Sequence, residues 1–104
     1  MSEKDRELDL LKVSRRGDQA QAILDNPLFK EAFQLQRDTL IEQMTEAKTV
    51  TDEDKEWLAE LNRRLKAVNY AERNLEAAIR GGNKAKSKLQ ELVDKAKNTL
   101  KMAG

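Results

Sequence analysis

Apolar residues recur every three or four positions through most of the chain, the spacing of one covered helix face. The longest stripe is Leu58, Leu61, Leu65, Val68, Glu72, Leu75 and Ile79, with Glu72 its one polar member. Its alternating steps are heptad spacing, the seam of a coiled coil, held for about three heptads. A second stripe, Phe29, Ala32, Phe33, Leu40, Met44 and Ala47, is interrupted at Gln36. A third runs through Ala85, Leu89, Leu92, Ala96 and Leu100, with Val93 on its margin. Nearer the N-terminus the pattern weakens to Leu8, Leu11 and Val13, then Ala20, Ile23 and Leu24.

Boundary residues divide these stripes. Asn26-Pro27 is a helix start, because asparagine caps through its side-chain oxygen and proline suits the first helical position. Thr51-Asp52-Glu53-Asp54 is another, with Thr51 as the cap and Asp54 at the capping-box position. Gly17 breaks the weak N-terminal pattern, and Asp18 can cap a short helix after it. Gly81-Gly82 ends the long stripe behind Arg80, and Asn83 caps the next segment. The expected helices are therefore 18–25, 27–47, 52–80 and 83–102. Residues 1–17 form a charged N-terminal helical arm and residues 18–104 a bundle. The predicted class is all-α, an antiparallel helical hairpin or three-helix bundle with coiled-coil-like packing. Short connections make 27–47, 52–80 and 83–102 antiparallel neighbours.

Composition narrows what such a fold can do. The chain has 104 residues, one domain's worth. Leu, Ile, Val and Phe are few, so the core is thin. Charged residues make up 38%, yet the net charge is only +1, which favours a folded chain over a disordered one. There is no cysteine and no histidine. Disulfides, thiolate metal sites, the commonest general base and the usual pH switch are all removed. The Asp52–Asp54 run lacks the twelve-residue calcium-loop pattern, with Trp57 where that loop needs glycine. Glu56/Glu60 and Glu72/Glu76 are carboxylate pairs without the histidines of di-iron bundles. Gly81-Gly82-Asn83-Lys84 lacks phosphate-loop spacing. No catalytic residue, metal ligand or cofactor is expected, and the reading is of a non-enzyme. No apolar run reaches the length of a membrane span, and no signal-peptide core succeeds the charged N-terminus, so a soluble intracellular protein is expected.

Charge is unevenly placed. Residues 80–104 carry seven basic and two acidic residues. Such a tail invites a nucleic-acid reading. Helical geometry sets Lys84, Lys88 and Lys95 along one border of the Ala85–Leu100 stripe, and Lys86, Lys97 and Lys101 along or beyond the other. Flanking lysines suit a packed seam, where stems cover apolar surface and heads reach a partner's acids. In a hairpin turning at Gly81-Gly82, Lys88 would fall near Glu76 and Lys101 near Glu60.

Phe29, Phe33 and Trp57 are expected core anchors, with Tyr70 marginal. The rival reading makes Trp57, at the edge of its stripe, an interface residue. Glu72 and Gln36 interrupt their seams and can set register or oligomeric state. The candidate protein interface is Phe29, Phe33, Trp57, Leu58, Leu61, Leu65, Val68 and Glu72.

The run Ala22-Ile23-Leu24-Asp25-Asn26-Pro27-Leu28-Phe29-Lys30-Glu31-Ala32-Phe33 resembles the opening of small helical proteins of tailed bacteriophages and prophages. The acidic start and tryptophan followed by leucines in Asp52–Leu61, and the ending Ile79-Arg80-Gly81-Gly82, are similar too. The resemblance covers roughly residues 18–90. It implies a structural or assembly-associated protein, in the host cytoplasm or on the virion, that binds protein through helices; the thin core points to self-association. Two alternatives stand beside it. One is a nucleic-acid-binding packaging or regulatory factor using Lys84, Lys86, Lys88, Lys95, Lys97 and Lys101. The other is a small phage inhibitor of a host protein.

Overall fold

Local chemistry sets the ends of the helices. The computed structural model describes residues 2–103, with side chains for 2–101; Met1 and Gly104, the outer ends of the expected arm and bundle, lie outside the described residues. Every element among the described residues is a helix: α1 spans Glu3–Asp25, α2 Pro27–Glu46 and α3 Asp52–Ala103. Ser2 starts α1 by accepting the Asp5 backbone N–H at 3.2 Å. Pro27 denies helical geometry to the residue before it, and Asn26 sits at φ −76, ψ 117. Asn26 Oδ1 accepts the Leu28 N–H at 2.9 Å and so caps α2. Thr51 and Asp54 form the expected capping box. The Asp54 N–H donates to Thr51 Oγ1 at 3.0 Å, and the Thr51 N–H donates to Asp54 Oδ2 at 3.1 Å.

The glycines do not act as the sequence suggests. α1 runs unbroken through Gly17, so the expected arm 1–17 and short helix 18–25 are one helix. α3 runs unbroken through Gly81 and Gly82, so the expected helices 52–80 and 83–102 are one helix of 52 residues. The turn at Gly81-Gly82, and with it 83–102 as an antiparallel neighbour of 52–80, is thereby corrected. No glycine among the described residues has positive φ, the conformation a glycine helix stop uses. The physical reason is packing. Gly82 is buried, and the covered face continues from Ile79 through Gly82 to Ala85 in steps of three. A helical glycine costs about 1 kcal/mol against alanine. That cost is offset where its missing side chain lets another helix approach.

The chain divides into two units, Met1–Ala22 with Leu75–Gly104, and Ile23–Asn74. In the first, α1 meets the C-terminal part of α3 at a contact between Gly17 and Gly82. A Cβ built on either glycine would lie 2.8 Å from the Cα of the other. Ala20 and Ala85 are buried, as are Ser14 and both glycines, so this seam consists of small residues. In the second unit, α2 and the N-terminal part of α3 form an antiparallel hairpin around Leu40 and Leu61. Leu61 is fully buried there.

The two kinds of glycine are expected to respond oppositely to alanine. Gly17→Ala or Gly82→Ala forces the helix backbones apart and should lower unfolding stability by roughly 1–3 kcal/mol. A Cβ at Gly81 would meet only Val13 Cγ1, at 3.7 Å. Gly81→Ala should therefore raise stability by up to about 1 kcal/mol. Urea unfolding of the three variants measures both signs.

Candidate association surface

The hairpin seam carries a polar link between its apolar layers. Arg37 of α2 pairs with Glu72 of α3, and both side chains are largely covered. Arg37 Nε also donates to Asn69 Oδ1 at 2.9 Å. Glu72, which interrupts the apolar stripe, thus has a partner directly across the seam. Burying such a pair is costly unless hydrogen bonds complete it. Asn69 supplies one of them. Arg37 is absent from the interface residues that the sequence suggests. Its signal was legible, since it sits four positions after Phe33 and three before Leu40, on the covered face.

The candidate interface residues separate into two groups. Leu61 is buried; Leu58, Leu65, Val68, Glu72 and Phe33 are half-buried. These six belong to α2 and α3 of one hairpin. Phe29 and Trp57 stand exposed, which corrects their assignment as core anchors. Two helices cover only the stripes that face each other, and these two rings lie at the edges of those stripes. Tyr70 is exposed as well.

One flank forms a groove. Leu35, Gln36, Thr39 and Leu40 of α2 and Arg64 and Val68 of α3 line about 400 Å³. Gln36, the break in the α2 stripe, therefore faces this groove. The Arg64 guanidinium lies over Trp57, 5.3 Å from the ring centroid. Glu60 fixes it there, accepting from Arg64 Nε at 3.2 Å and from Arg63 Nη2 at 2.8 Å. The Arg63 and Arg64 hydrogen bonds hold the Glu60 carboxyl below its ordinary pKa. The Asp54 carboxyl is also lowered, chiefly by the Thr51 backbone N–H.

The six candidate lysines all lie exposed on α3. Lys86 pairs with Asp18 of α1. The expected neighbours of Lys88 and Lys101 are corrected. On one continuous helix, Glu76 is more than three turns from Lys88, and Glu60 is farther still from Lys101. Among the described residues, no helix is long and apolar enough to cross a membrane. Comparisons with protein-family models, curated proteins and solved structures found no match.

These contacts generate two measurable expectations. Glu72→Ala leaves Arg37 without its anion and should cost roughly 1–2 kcal/mol of unfolding stability; the double change Arg37→Leu, Glu72→Leu should recover most of it. Asp54 and Glu60 have folded pKa values below their unfolded ones. Their contribution is complete above the unfolded values, near pH 4, and is lost as pH falls through the lowered ones. Thermal melts monitored by circular dichroism should drop in midpoint below about pH 4. Asp54→Asn should make that decline shallower.

Proposed function

We propose that this chain is a non-enzymatic, phage-type structural or assembly-associated protein that works by helix-mediated binding to protein, above all to copies of itself. The observation that carries this reading is uncovered surface. Each unit leaves large apolar side chains uncovered: Leu8, Leu11, Val13, Val93 and Leu100 in the first, and Leu28, Leu35, Ile41, Trp57 and Tyr70 in the second. Exposed apolar side chains in such number mark association surfaces. Coiled-coil-like packing between copies is the architecture the reading implies. The resemblance of residues 18–90 to small phage proteins supports a site of action in the host cytoplasm or on the virion.

A second reading has one observation in its favour. Lys84, Lys88, Lys95, Lys97 and Lys101 are exposed, and among the described residues none of them has an acidic partner within ion-pair reach. A nucleic-acid-binding role would use them. It requires affinity that falls steeply with salt.

Sedimentation at micromolar concentration separates these readings. The self-associating protein is expected at a multiple of 11.9 kDa, with a melting temperature that rises with concentration. A stable monomer that binds duplex DNA in a salt-dependent manner would overturn the first reading in favour of the second.

A further inference from the structure

The groove beside Trp57 and the last turns of α3 are both uncovered, and they complement each other. Leu35, in the groove, is 68% exposed, and Trp57, stacked under the Arg64 that lines it, 44%. At about 100° per residue, the helical face next to this lining on α2 is acidic, carrying Glu31, Asp38 and Glu42. On α3 the edge is mixed, with Glu60 held by Arg63 and Arg64. Residues 23–74 as a whole carry eleven acidic and eight basic residues.

The end of α3 has the opposite character. Every residue from Val93 to Lys101 is exposed. A helical segment this short is not stable by itself in water, so it draws its order from what it continues or contacts. Ala96 and Leu100 share one narrow face with Val93 beside it, and Leu100 is 73% exposed. Lys97 and Lys101 border that face on one side and Lys95 lies beyond the other. An apolar stripe edged by lysines is the counterpart of a groove whose α2 edge carries carboxylates.

Building on the self-association reading, we infer that the groove lined by Leu35, Thr39, Arg64 and Val68 receives the C-terminal segment of α3, residues 93–101, from a second copy of the chain. The groove wall and the segment belong to the one helix α3, so a chain cannot fold its own segment into its own groove. The occupant must come from another molecule. Val93, Ala96 and Leu100 cover Leu35, while Lys97 and Lys101 meet the acidic edge on α2. Two reciprocal contacts of this kind make a closed, symmetric pair.

The test is sedimentation of the full chain beside four exposed-site variants, with circular dichroism to check that each remains helical. Leu35→Glu and Leu100→Glu should each shift the mass from a pair to the single chain of 11.9 kDa. Lys97→Glu with Lys101→Glu should weaken association by about tenfold or more, increasingly evident at low salt. Adding Glu31→Lys and Asp38→Lys to that variant should restore it. A pair that Leu35→Glu breaks and Leu100→Glu leaves intact would overturn the inference, while self-association itself stood. A wild-type chain that sediments at 11.9 kDa would overturn both.

Discussion

The contact between Gly17 and Gly82 is the constraint on which half of the molecule depends. Side chains normally hold helix axes 8–10 Å apart. Two facing glycines remove that spacer and bring backbone against backbone. The neighbours must then also be small, and Ser14, Ala20, Ala78 and Ala85 are. Such a seam gains many dispersion contacts between main-chain atoms while burying little apolar side chain. It also explains why α1 and α3 continue through residues that, judged singly, end helices. A glycine weakens its own helix and strengthens the pair.

The hairpin of α2 and α3 reaches the same thinness by another route. Leu40 and Leu61 occupy its centre, but the next layer along is the Arg37–Glu72 pair with Asn69. That layer fixes which residues lie opposite one another more than it adds stability. Both units therefore leave apolar side chains on their flanks. Apolar side chains left uncovered on a chain with almost no net charge meet little repulsion from a second molecule.

Features governed by neighbours in sequence were legible from the residues alone. Asn26-Pro27 and the Thr51–Asp54 box depend on contacts within a few residues, and each stands as expected. Gly17 and Gly81-Gly82 were not legible, because propensity favours a stop there and only the distant glycine on the other helix reverses it. One clue was present: the covered face of α3 keeps its phase from Ile79 through Gly82 to Ala85. Periodicity located the apolar faces but not which of them are covered. Phe29 and Trp57 carry the helical spacing of core residues, yet exposure depends on how many helices surround them. The lysine borders were correctly drawn on the helix; their acidic neighbours were not, since those depended on the turn at Gly81-Gly82.

The connection between α2 and α3 is only five residues long, from Ala47 to Thr51. Closing it costs little chain entropy. Bringing Gly17 to Gly82 closes a loop more than ten times longer, at about 2 kcal/mol more. The hairpin is thus the natural first structure to form, and α1 the last to find its place. During synthesis the N-terminal helix must wait, unpaired, until the ribosome has delivered the glycine it packs against.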